Sequence, residues 1–172
     1  MTNFTIEEWS DIWNSIKNKD DYEKVVEALI TKFTNPGDII VDPMASKGET
    51  LMVCHSCNRN GIGLESNVKN FEFVKERIKK LEGQLKLDCI GAKEQCKQLV
   101  LQGVAEEIDT VWQEFFLPVV DLAVMRLCKD KLKDASAIIE KVSLKLKIRS
   151  VMIIMIPLDL ERDDFFSEIR KK

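Results

Sequence analysis

The chain has 172 residues, 45% of them hydrophobic and 32% charged, with a formal net charge of −3. That is the balance of a water-soluble folded domain with a sizeable core, and it argues against a self-sufficient nucleic-acid binder, which carries a basic surface. No apolar run reaches bilayer length, the start lacks the basic and apolar pattern of a signal peptide, and the five cysteines have no disulfide-framework spacing, so a cytoplasmic protein with reduced thiols is expected.

The chain opens with a helical pattern over Thr5 to Lys17, where Thr5 and Glu8 have capping-box spacing and Trp9 and Trp13 share a face. A second helix is expected from Asp20 to Phe33, with Val25, Val26, Leu29, Ile30 and Phe33 as its apolar stripe. Asn35-Pro36-Gly37-Asp38 then reads as a turn. Ile39-Ile40-Val41 is a buried strand ending at Asp42. Thr50 to Asn58 is helical, Gly61 to Glu65 a strand, and Val68 to Leu81 a helix. A weaker strand is expected at Lys86 to Ile90 and a helix at Lys93 to Val104, and the stretch to Phe116 is ambiguous. Val119 to Met125 is a strand, Lys131 to Leu146 a helix and Ser150 to Ile156 a strand, followed by a charged tail from Leu158.

Strands that are continuous apolar runs, alternating with helices, predict a parallel sheet covered on both faces. No Gly/Ser/Pro-rich linker divides the chain, so one domain is expected: N-terminal helices over 1–34, an α/β core over 35–157 and a tail over 158–172. In an open α/β sheet ligands sit beyond the carboxyl ends of the strands, at the point where the strand order reverses. That rule directs attention to Asp42, Glu65, Asp88 and the residues after Met125.

The segment from Phe33 to Arg77 resembles the cofactor-binding half of DNA methyltransferases that act on the exocyclic amino groups of adenine or cytosine. Asn35-Pro36-Gly37-Asp38 precedes the first strand, Asp42-Pro43 follow it, and Asn60-Gly61-Ile62-Gly63-Leu64-Glu65 closes the unit. The resemblance implies a doubly wound, mostly parallel sheet of Rossmann-like methyltransferase type, here expected to stop after its fifth strand. It also implies S-adenosylmethionine as cofactor, with Asp42, Pro43, Ala45, Ser46, Gly48, Glu65 and Asp88 at the binding site. Glu65 would accept the ribose hydroxyls and Asp88 would lie near the adenine edge; the alternatives are an ordinary strand-end acid and a solvated turn acid.

Two departures from the family pattern alter these expectations. The Gly-x-Gly of the family is Ser46-Lys47-Gly48 here, and its Thr-Thr is Glu49-Thr50. Ser46 and Glu49 have capping-box spacing, which predicts a self-capped loop with weak or lost cofactor affinity, Lys47 partly offsetting the charge of Glu49. The family also carries an Asp/Asn/Ser-Pro-Pro-aromatic tetrapeptide after the fourth strand, which holds and stacks on the flipped base. Met125-Arg126-Leu127-Cys128 stands there instead, and no Pro-Pro occurs in the chain.

Three functions follow as expectations. The chain is a non-catalytic partner or regulatory subunit. Alternatively, it is an active methyltransferase, with altered chemistry or completed by a second chain. As a third reading, it binds another adenosine-containing ligand or nucleic acid. A sheet ending at its fifth strand leaves an edge that a methyltransferase partner or self-association would cover. Cys54-His55-Ser56-Cys57 reads as buried helix cysteines, without the second ligand pair a zinc site needs, and no catalytic or metal residue is assigned.

Overall fold

The computed structural model describes residues 22–88 and 96–156. The expected Thr5–Lys17 helix and the charged tail lie outside these residues. Five parallel strands form one sheet in the order β3-β2-β1-β4-β5: β1 is Ile39–Asp42, β2 Asn60–Glu65, β3 Gln98–Gln102, β4 Val120–Arg126 and β5 Leu146–Met155. The helices are α1 (Tyr22–Phe33), α2 (Glu49–Ser56), α3 (Val68–Asp88), α4 (Ile108–Glu114) and α5 (Ala135–Ser143). No helix among the described residues is long and apolar enough to cross a membrane.

Strand parity sorts the core into two layers. Along β4, Leu122 and Val124 pack with Ile40 of β1, Val26 and Ile30 of α1, and Cys54 of α2. The intervening Ala123 and Met125 pack with Val41, Ile62 and Leu64 and with Ile108, Trp112, Ile138 and Val142 of α4 and α5. Leu51 of α2, Val74 and Ile78 of α3 and Val100 of β3 extend the first layer. Helices therefore cover both faces, α1 to α3 on one and α4 and α5 on the other. A fully two-sided sheet has no face for polar residues, which is why its central strands read as unbroken apolar runs.

The connection from α1 to β1 is held by side chains as well as backbone. Gly37 adopts φ 93°, a left-handed conformation that disfavours side chains. The Asp38 carboxylate accepts the Asn35 N–H at 2.8 Å, and Asn60 donates to the Gly37 carbonyl at 2.7 Å. Arg59 is buried beside it without a carboxylate partner among the described residues. Its guanidinium donates to the Thr34 carbonyl at 2.7 Å, to the Thr34 hydroxyl at 3.1 Å and to the Cys57 carbonyl. Those acceptors satisfy the buried cation and tie α1 to the end of α2.

The third strand corrects the sequence-based expectation. Lys86 to Ile90 is not a strand: α3 runs on through Asp88, and the third strand is Gln98–Gln102, inside the stretch expected to be helical from Lys93. β3 pairs with β2 from Gly61↔Gln98 to Glu65↔Gln102. Its short run, Gln98-Leu99-Val100-Leu101-Gln102, is too brief for periodicity to separate strand from helix. The helix expected over Lys131–Leu146 is confined to Ala135–Ser143, preceded by a 3-10 turn at Lys129–Lys131.

Candidate cofactor site

The site is built on the loop between β1 and α2. Asp42, the last residue of β1, is 3% exposed, and its Oδ1 accepts the Met44 N–H at 3.0 Å. The Ala45 N–H donates to the Leu64 carbonyl at 2.8 Å, which pins the loop to β2. Gly48 precedes α2 at φ 77°, and a Cβ there would lie 2.8 Å from Cγ1 of Val74. Only glycine suits that backbone and that distance, so α2 and α3 approach closely beside the loop.

The capping box expected from Ser46 and Glu49 is not formed. The residue that caps α2 is Gly48, with no side-chain hydrogen bond to the helix. Ser46 instead adopts φ 51°, a left-handed conformation that costs a side-chain-bearing residue about 1–2 kcal/mol. The cause is geometric: a capping serine needs extended backbone two or three residues from the N–H it accepts, whereas this loop turns left-handed at Ser46 and the helix begins only at Glu49.

Below the loop lies a polar network on the α1 face of the sheet. The Thr50 hydroxyl meets the Tyr22 hydroxyl at 3.2 Å and also hydrogen-bonds Asp42. The Arg126 guanidinium lies 4.8 Å from the centroid of the Tyr22 ring, within cation–π range. Burial pushes the Asp42 carboxyl up to about 6, and the Glu49 charge adds to the rise. Hydrogen bonds from Thr50 and Met44, and the Arg126 charge, oppose it. Burial, reinforced by Asp42, raises the Tyr22 phenol well above its ordinary value.

Glu65 ends β2 at 7% exposure. Its Oε1 accepts the Asn67 N–H at 2.6 Å, while Oε2 takes no hydrogen bond among the described residues. Asn67 in turn accepts the N–H groups of Lys69 and Asn70 at 2.9 and 3.2 Å, and so caps α3. Glu65 lines a cavity of about 200 Å³ beyond the carboxyl ends of the strands, together with Pro43, Ser46, Gly103, Glu106 and Cys128. On the cavity wall Glu106 pairs with Lys131 at 2.5 Å. Burial pushes the Glu106 carboxyl up, but Lys131 and Lys141 outweigh it and hold the group below its usual range.

Of the residues singled out in the sequence, Pro43, Ser46 and Glu65 meet at the cavity. Asp42 and Ala45 support the loop from beneath, and Gly48 sets its contact with α3. Asp88 closes α3 instead of following the third strand, and its side chain lies outside the described residues. The residue that ends the third strand is Gln102, followed by Gly103 to Glu106 on the cavity wall. Gly103 to Glu106 line the cavity without having been singled out, whereas Cys128, Asp130 and Lys131 follow Met125, where the strand-end rule pointed. The available signal was Gly103 closing the Gln98–Gln102 run. Among the described residues no three His, Cys, Asp or Glu side chains converge as metal ligands. Cys54 is buried in α2, and burial raises its thiol.

Residues 7–76 match the family model described as DNA methylase, of the N6/N4 type. Over this segment the chain is similar to DNA methylases that modify exocyclic amino groups. It is 37% identical over 86 residues to the type II methyltransferase M.BamHI of Bacillus amyloliquefaciens, an alignment spanning 46% of this chain and 20% of that protein. It is 39% identical over 56 residues to the type II methyltransferase M.HpaI of Haemophilus parainfluenzae, spanning 33% of this chain and 18% of that one. The chain thus spans about a fifth of the length of these curated relatives.

Among solved structures, an rRNA methylase from Streptococcus thermophilus superposes with a TM-score of 0.62 at 15% identity, covering 91% of this chain and 81% of that one. A TehB-like SAM-dependent methyltransferase from Corynebacterium glutamicum gives 0.59 at 14% identity, covering 95% and 77%. At such identities the likeness establishes the Rossmann-like methyltransferase fold and nothing finer. The family model's match ends within α3 and so covers the β1-α2-β2 unit.

Proposed function

We propose that this chain binds S-adenosylmethionine in the cavity beside Glu65 and acts as the non-catalytic partner of a DNA methyltransferase, without itself positioning a base for methylation. The cofactor, when bound, supplies an activated methyl group. The residues fit its adenosine end: Glu65 is nearly buried, its Oε2 is free to accept ribose hydroxyls, and the cavity over the strand ends is open. The expected self-capped loop would have argued for lost affinity, and its absence supports retention.

The observation that carries the non-catalytic half of this reading is Arg126. Holding a target amine needs a hydrogen-bond acceptor beyond the fourth strand, and a guanidinium is only a donor. Leu127 is buried and Cys128 carries a thiol, so the Met125–Cys128 segment in the tetrapeptide's place offers neither a carbonyl-bearing side chain nor a stacking ring. Methyl transfer then depends on a second chain that brings its own acceptor, which is the role assigned to the partner.

Calorimetric titration with S-adenosylmethionine, beside a transfer assay using labelled methyl and DNA, tests both halves. Binding is expected in the unsubstituted protein and lost in Glu65→Ala, with circular dichroism unchanged. Transfer is expected only after a methyltransferase subunit is added. Methylation of DNA by the purified chain alone overturns the non-catalytic role, and absence of binding overturns the cofactor.

A further inference from the structure

Glu65 and Arg126 stand at matching heights on either side of a notch. Asp42 of β1 is level with Gly63 of β2, and Val41 is level with Ala123 of β4, so Asp42 is level with Val124. Two residues further along each outer strand come Glu65 and Arg126. β1 has already ended at Asp42, so nothing of the sheet fills the space between them. Two strand spacings separate their backbones, about 10 Å.

Both side chains belong to the same face. Glu65 has the parity of Gly61 and Gly63, whose added Cβ atoms would meet Leu51 of α2. Arg126 has the parity of Leu122 and Val124, which pack on α1 and α2. The guanidinium is exposed and rests on the Tyr22 ring at 4.8 Å. Of the other cations near this rim, Lys131 is engaged with Glu106 at 2.5 Å, and Arg77 with the Lys47 carbonyl at 2.7 Å and Glu23 at 4.0 Å. Among the described residues no carboxylate forms an ion pair with Arg126. Arg126 stands beside the cavity rather than in its lining, where Glu65, Glu106 and Asp130 outnumber Lys131.

The geometry points to Arg126 as the carboxylate-binding residue of the site: it takes the amino-acid carboxylate of an adenosine ligand whose ribose Glu65 holds, and Tyr22 positions it. This rests on the cofactor reading above and adds to it a second anchor on β4, in the place where the family keeps its amine-holding tetrapeptide. A planar guanidinium matches a carboxylate through two parallel N–H···O bonds, and Lys cannot reproduce that fork. An acidic cavity would otherwise repel that end of the ligand. The aromatic ring fixes the guanidinium beforehand, which lowers the ordering cost of binding. One residue thereby both withholds an acceptor from a base amine and supplies a donor to a carboxylate.

The test compares two adenosine ligands by calorimetry, S-adenosylhomocysteine, which carries the carboxylate, and 5′-methylthioadenosine, which lacks it. Arg126→Met should weaken the first by about tenfold or more and the second by less than about twofold, and Arg126→Lys should recover only part of the loss. Tyr22→Leu should give a smaller loss of the same selectivity. An equal loss for both ligands, or none for either, overturns the role of Arg126 and leaves the cofactor reading standing, as does unsubstituted protein that binds the two equally well. Unsubstituted protein that binds neither overturns both. Melting temperatures within a few degrees of the unsubstituted protein show that the variants are folded.

Discussion

The β1-α2-β2 unit and the β4-β5 unit sit side by side in one sheet and are built to different standards. In the first, the strands are buried almost throughout, β1 from Ile40 to Asp42 and β2 from Gly61 to Glu65, and glycines at 48, 61 and 63 allow contacts a Cβ would obstruct. In the second, β5 lies at the sheet edge, and its start is irregular. Val120 pairs with Leu146 but Leu122 with Val151, so the intervening residues bulge out, with Arg149 at φ 73° and Ile148 95% exposed. Bulges and charges are common ways to blunt an open edge. The sequence relationship to DNA methylases falls on the tightly packed unit, and the tetrapeptide place falls on the other. Packing constrains the first unit at many contacts at once, whereas the tip of β4 depends on a few residues that can change without disturbing the core.

Substitutions can break this contrast. Leu64→Ala, in the fully buried centre of β2, should lower unfolding free energy by about 3–4 kcal/mol, measured by urea denaturation. A loss under about 1 kcal/mol would mean that the first unit is no better packed than the second. Next in size is the pH dependence contributed by Asp42. Its folded value of about 6 lies above the ordinary 3.8, so the folded protein holds the proton more tightly than the unfolded chain. That stabilisation is complete below about pH 4 and disappears as pH rises through about 6, a change on the order of 3 kcal/mol. Asp42→Asn should remove this component of the pH–stability profile, and an unchanged profile would exclude Asp42 as its source.

Two smaller effects sharpen the comparison. Ser46→Gly relieves the left-handed backbone and should raise stability by about 1 kcal/mol, although glycine gives part of this back in unfolded-state entropy. Its melting temperature should rise by a few degrees, and a fall would show that the Ser46 side chain contributes a contact. Ile148→Ser, on the exposed bulge, should change stability by less than about 0.5 kcal/mol. A large loss there would reveal that the bulge is packed in solution.

Much of the first unit was legible because local chemistry and global fold agree in it. The Asn35–Asp38 turn, the Ile39–Asp42 strand, the helix from about Thr50 and the strand ending at Glu65 all carry their own punctuation. Expectation failed where punctuation was missing. α3 continues past Leu81 through Gly83, a residue that weakens a helix without having to end it, and β3 lacks both length and alternation. Asp88, expected after that strand, closes α3 instead. The Ser46–Glu49 pattern failed for another reason. Spacing alone proposes a cap, but the backbone must also be extended at the capping residue, and contact between Gly48 and Val74 fixes a different path. The Tyr22–Thr50–Asp42–Arg126 cluster joins three segments far apart in the chain, so no local pattern could announce it.

The hydrogen bond from the Asn67 amide to Glu65 makes α3 an internal reporter of what happens at the strand tip. Anything that draws on the second oxygen of Glu65 repolarises the first, and with it the residue whose side chain caps the helix. Backbone signals of Lys69 and Asn70 should therefore respond to nucleoside arrival, although neither residue needs to touch it.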